Sequence, residues 1–258
     1  MKTMNLQKVS IVTISFLSLF AVPTLSNTLE SNGFSDERFI FNFSNDASVN
    51  KNFQRRELKI EKQNMDSEPV PLKFIDSLNA RKHIALFYDD PEYARLIEFR
   101  FLKNGLAKGE QCVYVTEEDS GTIVLKMLSF GISLEDFKTK KIRIHQIYHV
   151  GGSEDQIMQN CRKNVGMILS GLQPPYRIVA RMVPDVSTNT GISVELELER
   201  DTQTNFDDFG GSIMCPYNIS KIEPMNRRMW MAKLLELHHE IIYAPEFLKG
   251  GVFSSSET

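Results

Sequence analysis

The sequence has few cysteines, and none of them are spaced to share a metal ion. Cys112, Cys161 and Cys215 are far apart in the 258 residues, and no two form a Cys-x-x-Cys pair. This spacing argues against a structural zinc site, so we expect no bound metal. Each cysteine lies in an apolar run, where a free thiol behaves as a small buried hydrophobic group, and this favours a reducing compartment.

The sequence also has no excess of positive charge. The 30 Lys and Arg residues are balanced by 33 Asp and Glu residues, for a formal net charge of −3, and the two signs alternate along most of the chain. No overall field draws such a chain to nucleic acid, and we expect no direct nucleic-acid binding. The hydrophobic share of 41% is that of an ordinary globular protein.

The first quarter of the chain has little that could form a core. Lys2 and Lys8 precede an apolar run over 9–22, and small and polar residues follow it, so residues 1–26 have the layout of a signal peptide or marginal membrane anchor. Residues 27–64 are rich in Asn, Ser, Asp, Lys and Glu, which predicts a disordered linker. We therefore place one folded domain over residues 65–258, which begins with an extended lead-in at 67–71.

From His83 onward, strand-like and helix-like segments alternate. Strands are predicted over 83–88, 112–116, 141–147, 177–183, 212–217 and 240–244, and helices over about 90–106, 120–130, 154–172 and 226–239. Residues 193–198 alternate apolar and acidic residues, which is a strand period, but a helix remains open there. The pattern predicts an α/β fold with a mostly parallel sheet and helices on both faces. Ligands of such sheets bind beyond the carboxyl ends of the strands.

Two stretches resemble a known sensory domain. The segment His83–Asp90, HIALFYDD, and the segment 101–120, FLKNGLAKGEQCVYVTEEDS, resemble the opening of the MEDS domain of methanogens, methylotrophs and the DcmR regulator. The stretch from Glu199 through Cys215-Pro-Tyr-Asn218 resembles its closing signature, with Asn218 where Asp is usual. The resemblance runs from His83 to about Phe247.

The resemblance implies a sensory input module that binds a small molecule or a partner protein. Because the chain shows no DNA-binding or kinase segment, we expect its output to pass to a signalling kinase or regulator in trans, or to depend on self-association. An interaction module with an empty pocket is a further alternative.

The same first block is similar to ATPases of the KaiC/RecA type. In this chain residues 87–95 stand where those enzymes have their phosphate-binding loop, and they contain no Gly and no Lys but three acidic residues, Asp89, Asp90 and Glu92. A phosphate cradle needs converging backbone amides and a lysine, and carboxylates would repel a polyphosphate. We therefore expect a RecA/KaiC-like fold without a phosphate-binding loop, with no catalytic residues and no cofactor. The weaker alternative is a residual ATPase using Glu117 and Glu118.

The candidate ligand site gathers polar and aromatic residues at strand ends and in the family-like segments. They are His83, Tyr88, Asp89, Asp90, Glu117, Arg181, Glu199, Cys215 and Tyr217. Arg181 lies in an apolar strand, so it should pair with a carboxylate such as Glu199 or face a pocket. Each candidate also has an ordinary structural explanation: helix capping for the aspartates and buried packing for Cys215 and Tyr217. His238 and His239 fit cations that cap the end of a helix.

The resemblance and the N-terminus point to different compartments. The sensory modules that the domain resembles are cytoplasmic, whereas residues 1–26 suggest export or a membrane tether. A translation start at Met65 would reconcile the two, and we favour a cytoplasmic domain.

Overall fold

The computed structural model describes residues 68–148, 151–183 and 185–255. The signal or anchor and the linker predicted for residues 1–64 lie outside the described residues. Among the described residues, no helix is both long enough and apolar enough to cross a membrane.

The described chain forms a sheet of seven strands, of which six are parallel. The strands are β1 (His83–Tyr88), β2 (Gln111–Thr116), β3 (Ile142–Gln146), β4 (Tyr176–Val179), β5 (Gly211–Asn218), β6 (Glu240–Ala244) and β7 (Gly251–Ser254). Their order across the sheet is β3-β2-β4-β5-β1-β6-β7, and only the pairing of β6 with β7 is antiparallel. The predicted α/β class with a mostly parallel sheet is confirmed.

The seven described α-helices connect these strands. They are α1 (Val70–Ser77), α2 (Pro91–Ala107), α3 (Ser120–Phe130), α4 (Leu134–Lys138), α5 (Glu154–Leu169), α6 (Asn189–Thr204) and α7 (Arg227–Glu236). Helix α2 packs on one face of the sheet, where Phe99 contacts Tyr114 of β2 and Phe130 of α3. Helices α6 and α7 pack on the other face against β1, β5 and β6, and α5 packs against α6. The helices therefore cover both faces, as predicted.

Helix ends follow the expected capping chemistry. The Asp90 side chain accepts hydrogen bonds from two amides of the first turn of α2, and Asp119 caps α3. Gly131 ends α3 in the left-handed conformation at φ 94°. Ser153 and Gln156 form a capping box at α5.

Two sequence predictions were wrong in detail, and one strand was missed. Residues 70–77 form α1 rather than a fully extended lead-in, because Leu72 and Ile75 are buried against the domain. Strand β4 ends at Val179 rather than at residue 183, since the chain then turns to carry Arg181 towards α2. The short edge strand β7 was not predicted, because its residues are half-exposed or exposed and carry no buried pattern.

The strand-like alternation at 193–198 lies within a helix, α6. Ile192 and Leu196 face the cluster on the sheet, while Val194 and Leu198 face α5. A helix buried on two sides shows apolar residues at both sets of positions, and the two sets together mimic an alternating strand. Only the packing of α6 between α5 and the sheet distinguishes the two patterns.

Candidate functional site

A cleft opens at the carboxyl edge of the sheet, above β1, β2 and β5. Its volume is about 520 Å³, which is within the range of small-molecule sites. Strand ends, the segment after β4, and helix α6 provide the walls. The lining includes Tyr88, Tyr114, Thr116, Glu117, Glu118, Arg181, Val183, Glu195, Pro216, Tyr217, Asn218 and Lys221.

Arg181 is the central cation of this cleft. Its guanidinium donates to Glu98 of α2 at 3.0 Å and lies 5.2 Å from the centre of the Tyr88 ring. Glu98 is almost completely buried and also accepts a 2.7 Å hydrogen bond from the Tyr114 hydroxyl. Arg181 does pair with a carboxylate and does face the cleft, but the partner is Glu98 rather than the suggested Glu199. Helix α2 carries Glu98 over the sheet to Arg181, a juxtaposition that sequence order alone does not show.

The two adjacent glutamates at the end of β2, Glu117 and Glu118, have different surroundings. Glu118 accepts hydrogen bonds from Arg95 and Lys126. Partial burial raises the pKa of Glu118, but these two cations outweigh burial and lower the pKa below its ordinary value. Glu117 is exposed on the cleft wall. Glu118 is thus an ionised member of a surface network.

The two aspartates after β1 are not part of the cleft lining. Asp90 caps α2 through hydrogen bonds from the amides of Glu92 and Tyr93, at 2.9 Å and 3.3 Å. Asp89, next to it, is exposed. Asp89 was expected to share the cleft with Tyr88, but it is absent from the residues that line the cleft.

A second group of polar residues is buried beneath the cleft, between the sheet and α6. It comprises His83 of β1, Glu199 of α6, Cys215 of β5 and His238 after α7. His83 Nε2 lies 2.8 Å from Glu199 Oε2 and 3.6 Å from Cys215 Sγ. His238 Nε2 lies 3.4 Å from the same Glu199 oxygen. The register places Cys215 beside Ala85, two residues beyond His83 on the same face of the sheet.

His238 is a neutral member of this cluster. Burial, together with the neighbouring His83 ring, lowers the pKa of His238 to about 3. Its Nδ1–H donates to the Leu234 carbonyl at 2.7 Å, so the ring does bond the end of α7. The sequence analysis interpreted His238 as a cation that caps a helix. The ring does cap the helix, but it is neutral rather than charged, because the side chain is completely buried. His239 lies nearby, with Nδ1 accepting from the His83 backbone amide.

Tyr217 connects the buried cluster to the cleft. Its hydroxyl oxygen lies 2.9 Å from Glu195 Oε1 and also within hydrogen-bonding distance of Glu199 Oε1. Burial, followed by the nearby charge of Glu199, raises the pKa of Glu195 well above its ordinary value. Burial raises the pKa of Glu199, and the hydrogen bonds from His83 and Tyr217 act in the opposite direction and lower it. The Tyr217 hydroxyl has a single proton, so it can donate to only one of these two carboxyl groups at a time.

The predicted site residues therefore fall into three places. Tyr88, Glu117, Arg181 and Tyr217 line the cleft; His83, Glu199 and Cys215 lie in the buried cluster; Asp89 and Asp90 lie in neither. The role of these residues in binding a ligand stays a prediction. The sequence analysis missed Glu98, Glu195 and His238. A helical reading of 189–204 would have indicated Glu195, because Glu195, Glu199 and Gln203 then recur every four residues.

Comparisons with known proteins give a family match and a distant structural neighbour. The family model described as the methanogen/methylotroph, DcmR sensory domain, abbreviated MEDS, matches residues 82–238. Among solved structures, a KaiC-like protein from the hyperthermophilic archaeon Pyrococcus horikoshii OT3 shares 18% sequence identity, with a TM-score of 0.41. That alignment covers 63% of this chain and 70% of the archaeal chain. A comparison with curated proteins gave no match.

Proposed function

The chain belongs to the MEDS family of sensory domains, and on that premise we propose that the cleft above β1, β2 and β5 is its input site and binds a small molecule. The observation that carries this proposal is the cleft itself, about 520 Å³ at the carboxyl edge of the parallel sheet. This is the edge at which open α/β sheets bind their ligands. Arg181, Tyr88 and Tyr217 provide a cation and two aromatic rings that can fix the orientation of a ligand.

We further propose that the domain senses its ligand without hydrolysing a nucleotide. In a phosphate-binding loop the amides at the start of the following helix are free to hold phosphate oxygens. In this chain the Asp90 carboxylate already accepts from the amides of Glu92 and Tyr93. A polyphosphate would have to displace this carboxylate and would meet its negative charge. The residual ATPase using Glu117 and Glu118 is disfavoured for the same reason.

A route from the cleft to the rest of the domain supports a signalling role. The Tyr217 and Glu195 side chains line the cleft and hydrogen-bond to each other, and Tyr217 also contacts Glu199 on the same helix. A ligand that moves Tyr217 would therefore disturb α6 and the buried cluster together. We propose that a partner in trans, a signalling kinase or regulator, or a second copy of the chain reads this change. We also propose a cytoplasmic location, which agrees with three free cysteines.

The test is native mass spectrometry of the full chain purified from its own source. We expect a retained small molecule, seen as extra mass that is lost on denaturation. In Glu117→Trp a bulky ring replaces an exposed side chain on the cleft wall, so the extra mass should disappear. Glu135→Trp, which changes an exposed residue of α4 away from the cleft lining, is the matched control and should retain it. Equal retention by both variants would show that the ligand binds elsewhere, and tight magnesium-dependent ATP binding by the purified chain would contradict the non-catalytic proposal.

A further inference from the structure

We infer that His83, Glu199, Cys215 and His238 form a buried binding site for a divalent metal ion, with zinc as the best fit. One ligand atom from each residue lies within 4.8 Å of all the others. The set offers two imidazole nitrogens, one thiol sulfur and one carboxylate oxygen, a mixture that suits four-coordinate zinc. This departs from the sequence-based expectation of no metal, because the four ligands come from four separate segments and share no sequence spacing.

Two of the distances among the ligand atoms are those of a tetrahedral site, and every pair lies within 4.8 Å. With zinc bonds of about 2.0–2.3 Å, ligand atoms around the ion are separated by about 3.3–3.6 Å. The distance from Cys215 Sγ to His83 Nε2 is 3.6 Å, and that from His238 Nε2 to Glu199 Oε2 is 3.4 Å. The 2.8 Å contact of His83 with Glu199 has to open by about half an ångström to reach the same range. A pair at the 4.8 Å limit would have to close by about 1.2–1.5 Å, so side-chain shifts of about an ångström bring the set to the range of zinc ligands.

Both histidine rings are oriented as metal ligands usually are. A ligating imidazole normally donates its other ring N–H to a carbonyl, carboxylate or water, which fixes the ring and its tautomer. His238 Nδ1 donates to the Leu234 carbonyl at 2.7 Å, and His83 Nδ1 lies 3.0 Å from Gln203 Oε1. The lone pair of each Nε2 then points into the cluster. On Glu199, the second oxygen is already held by Tyr217.

The unpartnered nitrogen of His238 is the second, independent indication of a ligand. His238 is about 1% exposed, and its Nε2 has no hydrogen-bond partner among the described residues. Because Nδ1 carries the proton, Nε2 presents a lone pair to the Glu199 carboxylate, and two acceptors facing each other in a buried site are unfavourable. A cation between them removes this cost. Among the described side chains, no donor that fills this role is in contact with Nε2.

The charges also balance. Two neutral imidazoles, one carboxylate and one thiolate carry a total charge of about −2, which a divalent ion cancels. Binding would release the thiol proton of Cys215 to solvent, because a coordinating thiol is deprotonated. With all four protein ligands in place there is no open position for substrate, so the ion would fix α6 and the end of α7 to the sheet. Its contact with Glu199, and through it with Tyr217, would connect the ion to the floor of the cleft.

The test measures metal content and a spectroscopic signature of the full chain. After loading with zinc and dialysis, we expect about one zinc ion per chain by elemental analysis. Loading with cobalt(II) instead should give the near-ultraviolet thiolate-to-cobalt charge-transfer band. Cys215→Ser should lose both signals, whereas Cys161→Ser, at another buried free cysteine, should keep them. His238→Gln should bind far more weakly, whereas His145→Gln should not, although His145 also has an unpartnered buried nitrogen.

Two outcomes would overturn the inference. One is a full chain that is folded by circular dichroism but retains no zinc and shows no cobalt band. The other is equal metal content in Cys215→Ser and Cys161→Ser. If Cys215→Ser fails to fold, the cobalt band of the unaltered chain still decides whether a thiolate coordinates the ion. Retention of an organic ligand in the cleft is measured separately, so this result is independent of the proposed input site.

Discussion

At the scale of single residues, the pair of Arg181 and Glu98 supports both the cleft and the fold. Glu98 is almost completely buried and forms an ion pair with Arg181, whereas Arg181 is 40% exposed. Removing Arg181 leaves the buried Glu98 carboxylate without its ion-pair partner, while the hydrogen bond from Tyr114 remains. Arg181→Met should therefore lower the free energy of unfolding by about 1–3 kcal/mol, measured by urea denaturation.

Arg162 is the matched control for this prediction. Its side chain is also 40% exposed, but its partners Glu197 and Asp201 are 53% and 30% exposed. Arg162→Met should change the free energy of unfolding by less than about 1 kcal/mol. Equal losses in the two variants would show that burial of the partner carboxylate does not decide the stability of the pair.

The three cysteines should be chemically silent in the folded protein. Burial raises the pKa of both Cys112 and Cys161 to about 12, and burial likewise raises the pKa of Cys215 well above its ordinary value. Since the thiolate is the reactive form, we expect no reaction with a thiol reagent at about pH 8 until denaturant is added. All three should then react, and fast labelling of the native protein would contradict the buried positions of the cysteines.

At the scale of elements, the start of α6 depends on one glycine. A Cβ atom on Gly191 would lie 1.7 Å from the carbonyl oxygen of Asp185. Gly191→Ala should therefore force the segment that lines the cleft away from α6 and cost about 1–3 kcal/mol in a thermal or urea unfolding experiment. In α5, a Cβ atom on Gly166 would meet nothing within 4 Å, so Gly166→Ala should stabilise by about 0.5–1 kcal/mol. A neutral effect of Gly191→Ala would contradict the close approach.

The contact between α1 and α2 should be sensitive to acid. Partial burial raises the pKa of Asp76, but hydrogen bonds from Arg100 and Asn104 outweigh it and lower the pKa below 3.8. Because the folded-state pKa is lowered, this stabilisation is present above about pH 4 and is lost as the pH falls through the lower folded value. Asp76 is 38% exposed, so the contribution should stay below about 1 kcal/mol.

The variant Asp76→Asn provides the measurement for this acid dependence. Compared with the unaltered chain, it should be less stable at neutral pH, and the difference should shrink towards pH 3, as followed by urea midpoints at each pH. A difference that is constant with pH would show that the charge of Asp76 does not contribute.

At the scale of the whole molecule, the folded domain should not need the first 64 residues. The seven strands of the sheet lie between His83 and Ser254, and the family match begins at residue 82. A protein consisting of residues 65–258 should therefore unfold within a few degrees of the full chain, since residues 27–64 offer few apolar groups for burial. A midpoint lowered by many degrees would show that the N-terminal part stabilises the domain. N-terminal sequencing of native protein would separately locate the start, near Asn27 if cleaved or at Met65 if translated there.

Much of the fold was predictable from short-range patterns. The six parallel strands, the caps at Asp90, Asp119 and Ser153, and the stop at Gly131 each depend on residues within a few positions of each other. The sensory family was also identified from contiguous segments. The edge of the sheet that carries the cleft followed from the parallel arrangement alone. These features are set by local periodicity, capping and strand order.

The partners of the buried polar groups were decided only by the tertiary structure. Arg181 meets Glu98 because α2 crosses the sheet, and His83 meets His238 across more than half of the chain because α7 ends beside β1. Helix α6 looks like a strand in sequence because it is buried on two faces, and only as a helix does it align Glu195 with Glu199. A sequence pattern indicates which side chains are buried. The hydrogen-bond or ion-pair partner of each buried polar group depends on how the helices and strands pack.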